Sequence, residues 1–598
     1  MVSVVKTDNP YNNRSIIVRS IFDYFNKAPL MGLVEQSVAL IRGLLWGGSI
    51  YTTQKLFDSL LNYEAQSYRI IMSWFIVVIM ILFLQQLLGG LSSYLLSHVS
   101  YTNMGKYMVE FQQKIGQIPP EKFEDSVFLD QLNKAKECIE YESLGHFSSI
   151  CLQVITYYSV FLVAVGIYLF SLSPVLLIVI LLGFVPAIWG KFSQRDAFEQ
   201  LEEKNVRTRR QYDYYKKTLV GTAAYQETRL LGAANYFRKR FVQTLTVMTQ
   251  NKWHTERNIA VKQMGLDIVS FLGLGLSLYI LVIFTLDGQM TVGAFASVFI
   301  ALTHIFSIID EMLSVYLKNG NKLMVEVANF YRFMDINEPQ KEMRIPNLEE
   351  GIQLKAVSFS YPHTKRYAVE NLSLTVNPGE TIAIVGENGS GKSTLVKLMT
   401  GLYLPTSGSV EVGGCDTRLV EPTMLFSQIS AIFQNYGRYK LTLEENVRIS
   451  DLNDELNTDQ VQEVLQEVDF PQHIRHEQML SPEFGGIDLS GGLWQRLSIA
   501  RGLYRHHNLI VLDEPTAAID PIEEAKLYRM FDKVSQGKPA ILVTHRLGSV
   551  KLADRIIVMH HGRIDDIGTH SELIAKQGKY VHMWDAQASW YEHGNTIT

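Results

Sequence analysis

Cysteine is scarce in this 598-residue sequence: Cys138, Cys151 and Cys415 stand far apart. They make no CxxC pair for a metal and no disulfide framework. Charge is sparse too. Asp, Glu, Lys and Arg make up 19 %, below the roughly 25 % of an ordinary soluble domain. The 55 basic residues are outnumbered by 60 acidic ones, a net charge of −5. That leaves no global basic footprint and argues against nucleic acid as a partner. Internal repeats, low-complexity tracts and a cleavable signal peptide are also missing from the sequence. Hydrophobic residues reach 47 %, too many for a disordered chain.

The apolar residues collect in the first half. Six runs lie near 30–53, 70–97, 148–170, 173–190, 263–285 and 292–314, each near the roughly 20 residues that cross a bilayer as helix. The turns at 171–174 and 286–290 lack Lys and Arg, whereas 100–146 and 191–258 are rich in them. Basic residues stay inside. The long polar segments, both termini and the second half are therefore expected in the cytoplasm, on a multi-pass protein of the plasma membrane whose partner is the lipid bilayer. Residues 1–335 are read as an all-α six-helix transmembrane domain and 336–350, with Pro339 and Pro346, as a linker. Residues 351–585 alternate short apolar strands with polar helices, an α/β pattern, and 586–598 form a C-terminal tail. Residues 15–28 put Ile17, Ile21, Tyr24 and Phe25 on one helical face. Two readings stand: a helix lying on the inner leaflet, or one packed on the first span.

The second half carries the chemistry. Residues 382–394 read IAIVGENGSGKST, an apolar strand, a Gly-rich loop and the start of a helix. This is a phosphate loop in its required context. Gly386, Gly389 and Gly391 let backbone N–H groups turn inward around phosphate oxygens, with Glu387, Asn388 and Ser390 between them. Lys392 supplies charge for the β- and γ-phosphates, Ser393 a hydroxyl for Mg²⁺, and Thr394 continues the helix. Residues 508–514 form an apolar strand ending in two carboxylates. Asp513 suits Mg²⁺, and Glu514 is placed to polarise an attacking water. Ser490, Gly491 and Gly492 open an amphipathic helix, a second phosphate-binding device.

Together these motifs resemble an ATP-binding cassette (ABC) exporter with six spans and one P-loop nucleotide-binding domain. The resemblance implies ATP-driven transport, with ATP and Mg²⁺ as cofactors, and further residues in order. Tyr361 resembles the aromatic residue stacked on adenine. Gln434 resembles the glutamine at Mg²⁺ that reports to the membrane helices, Asp520 the loop that communicates across the dimer, and His545 the switch histidine. The family's Gln after the two glycines is replaced by Leu493, so weakened tuning is expected rather than lost hydrolysis. Each nucleotide would lie between the phosphate loop of one chain and the signature of another. Two chains are thus expected, a homodimer in the economical reading and a heterodimer otherwise. Two coupling segments are implied, with candidates near 119–132 and 221–232, the second docking on the partner's cassette near Gln434.

Residues 433–442 and 489–496 (FQNYGRYKLT and LSGGLWQR) are similar to nisin-type exporters of lantibiotics and related peptides. A peptide cargo is implied. The first span begins near residue 30, with no room before it for a protease domain, so a cargo with a leader would need a separate leader peptidase. A multidrug or lipid exporter shares every ATPase motif and is the alternative. Glu35 and Arg42 in the first span, and His304, Asp310 and Glu311 in the sixth, either line a cavity or, for the three acids, sit at the cytoplasmic ends.

Overall fold

The computed structural model describes residues 13–62, 68–221, 224–336, 341–452, 458–514 and 521–592. They divide into two compact units. The first holds the described residues up to Gly116 and from Gln131 to Ile336. It is built of α1 (Asn13–Lys27), α2 (Pro29–Leu61), α3 (Tyr68–Gly116), the part of α4 (Ser126–Glu140) from Gln131 onward, α5 (Ser143–Gln153), α6 (Ser159–Leu172), α7 (Pro174–Val220), α8 (Tyr225–Leu230), α9 (Ala234–Leu286) and α10 (Val292–Met334).

Among the described residues, five helical stretches are long and apolar enough to cross a membrane, and six if α1 and α2, bent by 114° at their junction, count as one span. α2 is the polar member of the set, and it makes a span only together with α1. The 49 residues of α3 and 53 of α9 rise to about 75–80 Å, more than twice the roughly 30 Å hydrocarbon core. The apolar window of α3 has none of its residues buried, as lipid-facing residues would be. α7 and α9 approach so closely that a Cβ on Gly273 would lie 2.9 Å from the Gly183 Cα, the small-residue packing that membrane helices use. α5 and α6 are joined by a π-helical turn over Val154–Tyr158, where the Ser159 hydroxyl donates to the Val154 carbonyl.

α1 packs rather than floats. Ile16, Ser20 and Tyr24 are buried, and Tyr24 clusters with Val99 and Leu152, with Ile21 and Phe25 half-buried against them. The buried stripe is thus one residue away from the expected Ile17 position. Val18 and Phe22 remain exposed.

The second unit holds Gln117–Asp130 with the described residues after 336. Its contacts take residues 117–130 out of the expected unbroken 1–335 domain. A four-stranded antiparallel sheet has the order β2-β1-β4-β5 and a six-stranded sheet the order β10-β9-β3-β8-β7-β6. The strands are β1 (Ile352–Phe359), β2 (Val369–Val376), β3 (Thr381–Gly386), β4 (Ser407–Val412), β5 (Cys415–Asp416), β6 (Ile429–Ile432), β7 (Leu509–Asp513), β8 (Ala540–Val543), β9 (Arg555–His560) and β10 (Arg563–Gly568). The helices the site uses are α11 (Lys392–Met399), α12 (Pro422–Phe426), α13 (Leu443–Arg448), α14 (Thr458–Glu467) and α15 (Gly491–Tyr504). β3, β6, β7, β8 and β9 run parallel, so their C-terminal ends open on one edge, where doubly wound sheets bind ligands. β7 and β8 are buried at every position, which explains their unbroken apolar sequences.

Candidate nucleotide site

β3 delivers the chain into the phosphate loop and α11 takes it out. Gly389 has φ 77° and Gly391 φ 102°, left-handed values that only glycine adopts without strain. A Cβ on Gly389 would meet nothing within 4 Å, while one on Gly391 would lie 2.4 Å from the Ala368 carbonyl. Lys392 is 6 % exposed and its ammonium donates to the Gly386 and Glu387 carbonyls at 3.0 and 3.3 Å. Ser390 is buried, yet its hydroxyl has no hydrogen-bond partner among the described residues. A buried ammonium, an orphaned hydroxyl and an open backbone turn at a helix start fit a phosphate chain.

Two carboxylates face this loop from the end of β7. The Ser393 hydroxyl donates to Asp513 Oδ1 at 3.3 Å. Asp513 is buried, and burial holds its carboxyl above the usual range against the opposing hydrogen bond from Ser393. A divalent cation would offset that cost, so the pair fits Mg²⁺. Glu514 stands at φ 49°, a conformation rare outside glycine and typical of functional positions. One oxygen of Glu514 is 3.7 Å from Lys392 Nζ, the other 3.7 Å from His545 Nδ1. Sequence-distant Lys392, Asp513, Glu514 and His545 are thereby brought together.

Tyr361 also comes to the loop. Its hydroxyl is 3.0 Å from the Thr394 hydroxyl, and its ring packs edge-on against Phe359 and Tyr403. Gln434 is exposed just beyond β6. Ser490 caps α15, its hydroxyl accepting from the Leu493 amide at 3.4 Å. Gly491 is exposed and Gly492 half-buried. Asp520 lies outside the described residues, as do Thr222 and Ala223 of the second coupling candidate.

Several contacts had no clear sequence signal. The Tyr436 hydroxyl donates to the Gly491 carbonyl at 3.0 Å, tying the stretch after Gln434 to the start of α15. Arg501, in the last turn of α15, donates to the Asn446 and Gly437 carbonyls at 2.8 and 2.6 Å and lies 4.8 Å from the Tyr439 ring centre. Burial pushes its guanidinium down to about 10. In the first coupling candidate, Pro120–Glu124 is a 3₁₀ turn. Glu121 accepts from the Leu404 amide at 2.6 Å, and Glu124 accepts from the Tyr403 hydroxyl and faces Lys397 of α11 at 3.9 Å. Asp125 pairs with His363 at 2.9 Å. Tyr403 stacks on Phe359, so it touches both this turn and the aromatic cluster that holds Tyr361.

In the helical unit, Glu35 is fully buried. It accepts from the Tyr24 hydroxyl at 3.3 Å and from the Gln36 amide, and Thr156 donates to Gln36 at 2.8 Å. Glu35 thus lies in the second turn of α2, covered by α1. Arg42 lies over the Tyr157 ring at 4.9 Å, and His304 lies 4.2 Å from the Trp46 ring centre. Glu311 is exposed, and the Asp310 side chain lies outside the described residues.

A helical unit with membrane-length helices, followed by this phosphate-loop α/β unit, defines a transport ATPase of the cassette class. A family model described as "ABC transporter" matches residues 369–517. The subtilin transport ATP-binding protein of Bacillus subtilis is 28 % identical, over 92 % of this chain and 90 % of that protein. The nisin transport ATP-binding protein of Lactococcus lactis subsp. lactis is 25 % identical, over 90 % of each. The ATP-dependent lipid A-core flippase of Pasteurella multocida (strain Pm70) is 25 % identical, over 94 % and 96 %. A solved bacterial Atm1-family ABC exporter with ATP bound superposes with TM-score 0.75 at 19 % identity, covering 92 % of this chain and 98 % of that one, which bears on fold alone. The chain is an ABC exporter half-transporter: a multi-pass membrane protein with a cytoplasmic, ATP-hydrolysing cassette.

Proposed function

We propose that this half-transporter exports a lantibiotic- or bacteriocin-like peptide from the cytosol as a homodimer, by alternating access driven by ATP. The observation that carries the reading is similarity along nearly the whole chain to the subtilin and nisin transport proteins. The lipid A-core flippase is similar over as much of the chain, and this favours a second reading, lipid export.

In the proposed mechanism, the amides of residues 386–391 and the Lys392 ammonium hold the phosphates. Ser490, Gly491 and Gly492 of the second protomer close on them, and the role proposed for Asp520 is communication between the protomers. Tyr361 flanks the adenine. Ser393, Asp513 and Gln434 would hold Mg²⁺, which when bound neutralises phosphate charge. Glu514 takes the proton of the attacking water, and His545 orients the Glu514 carboxylate. Both termini stay cytoplasmic, and a leader, where the peptide has one, is removed by a separate peptidase.

The test is ATP-dependent uptake into inside-out vesicles, with Glu514→Gln as the blank. One arm uses modified precursor peptides, another fluorescent lipid analogues, a third hydrophobic dyes. Peptide uptake alone supports the proposal. Lipid or dye uptake without peptide uptake overturns the cargo and leaves the ATPase assignment intact.

A further inference from the structure

Three helices follow α15: α16 (Pro521–Ser535), α17 (His570–Ala575) and α18 (Lys579–Glu592). In α18, Tyr580, Met583, Trp584 and Gln587 recur at helical spacing, so they share one face. Tyr580 is 1 % exposed and belongs to a cluster with Val550, Ile556, Val558 and Leu573, against which Met583 and Trp584 are half-buried. The same cluster holds Ala383 and Val385 of β3, the strand that leads into the phosphate loop. The Lys551 ammonium lies 5.0 Å from the centre of the Trp584 ring. Val550 and Lys551 belong to a 3₁₀ turn over Leu547–Leu552, just past His545. The start of α18 is thus seated on the segment that carries the switch histidine.

The last residue of the stripe is polar, where a further apolar side chain would continue the pattern. Gln587 is half-buried, and its side-chain amide donates to the His545 carbonyl. That bond completes the hold on one peptide group. The peptide joining His545 to Arg546 has one donor and one acceptor. Its N–H, on Arg546, donates to the Thr544 hydroxyl oxygen at 2.9 Å, and its carbonyl takes Gln587. On the upstream side, the Val543 carbonyl accepts from the Glu514 amide at 3.0 Å.

The imidazole needs this hold. His545 Nδ1 stands 3.7 Å from Glu514, beyond ordinary hydrogen-bond length, and His545 is exposed. Neither a short bond to Glu514 nor burial fixes the ring there, so its place beside Glu514 follows from the backbone that carries it. Released from Gln587, the peptide after His545 can rotate, and the position of the ring loosens with it.

We propose that Gln587 is a positioning residue for ATP hydrolysis: with α18 anchored by Tyr580 and Trp584, it holds the switch histidine beside Glu514 through the His545 carbonyl. This rests on the role given to His545 in the proposed mechanism.

The test is steady-state ATP turnover by the full chain in nanodiscs, with fluorescent-nucleotide binding and thermal unfolding measured on the same samples. Gln587→Ala should lower kcat about fivefold, the worth of one hydrogen bond, with KM, nucleotide affinity and unfolding midpoint unchanged. Gln587→Glu, which sets an acceptor against the carbonyl, should lower kcat at least as far. Gln587→Lys, which keeps a donor at similar reach, should retain most of the unaltered turnover. His545→Ala should itself lower kcat, and adding Gln587→Ala to it should cost nothing more, because residues that act through one group are not additive. Unchanged kcat in Gln587→Ala would overturn the proposal. So would an undiminished further loss in the His545→Ala background, which would show that Gln587 acts elsewhere. A fall in midpoint that tracks the fall in kcat would overturn it too, by making the bond structural. Full turnover by His545→Ala would instead overturn the role of His545 on which the proposal rests. None of these outcomes bears on the transported cargo.

Discussion

Both compact units hold buried polar groups with bonds left unmade, but they differ in where those groups lie. In the cassette they gather at the phosphate loop: Ser390 is left with an unpaired hydroxyl, Lys392 turns back onto loop carbonyls, and Asp513 accepts a hydrogen bond from Ser393. In the helical unit, Glu35 accepts from Tyr24 and Gln36 through one carboxylate oxygen, Gln36 accepts from Thr156, and the other Glu35 oxygen has no hydrogen-bond partner among the described residues. An incomplete polar shell in a buried place is costly, and it persists where a ligand completes it. At Glu35 the bonds that are made tie α1 to α2. Substitutions in the first unit should therefore damage stability, and those at the cassette loop should damage chemistry.

The largest effect that comparison predicts is at Glu514. Glu514→Gln should lower ATP turnover by about 10²–10⁴-fold, the usual worth of a general base, while nucleotide is retained. Lys392→Ala should lose nucleotide binding itself. Turnover assays with fluorescent-nucleotide binding separate the two. Normal hydrolysis by Glu514→Gln would remove it as the base.

Next comes Arg501, a cassette residue whose bonding resembles that of the helical unit. Arg501→Met leaves the Gly437 and Asn446 carbonyls without their donor, at about 3 kcal/mol for charged hydrogen bonds, read as a lower unfolding midpoint. Tyr436→Phe removes one bond to Gly491, about 1 kcal/mol. It should lower ATP turnover about fivefold with the unfolding midpoint little changed. A lowered midpoint with unchanged turnover would make Tyr436 structural.

The phosphate loop was legible because its chemistry is local: strand, glycines, Lys392 and helix are contiguous. Asp513 and Glu514 were legible because they end an apolar strand. The contact of Glu124 with Tyr403 spans 279 positions, and neither residue carries a pattern of its own. The pairing of Glu35 with Tyr24 was not legible, because Tyr24 lies across the 114° bend between α1 and α2, which hydropathy does not record. A smaller effect follows there. Glu35→Ala should cost about 1–3 kcal/mol by leaving Tyr24 and Gln36 unpaired, whereas Glu35→Gln should cost less. Thermal unfolding in one lipid composition checks both. If Glu35→Gln kept full stability but lost transport, Glu35 would belong with ligand-serving residues, and the contrast between the units would fail.

The smallest effect falls on Leu493, where the family resemblance leads one to expect Gln. Its backbone amide donates to Ser490, and a change of side chain leaves that cap intact. Its side chain is half-buried against the cluster that includes Trp494 and Leu497. Trp494 is itself fixed by its indole N–H on Asp488 at 3.1 Å, so the start of α15 does not depend on Leu493 alone. Leu493→Gln should then cost at most about 1 kcal/mol of packing and leave ATP turnover equal or raised. A severalfold fall in turnover without loss of stability would mean that the leucine side chain itself sets the position of Ser490. Departure from the family pattern would then be an adaptation of this signature helix, not a tolerated substitution.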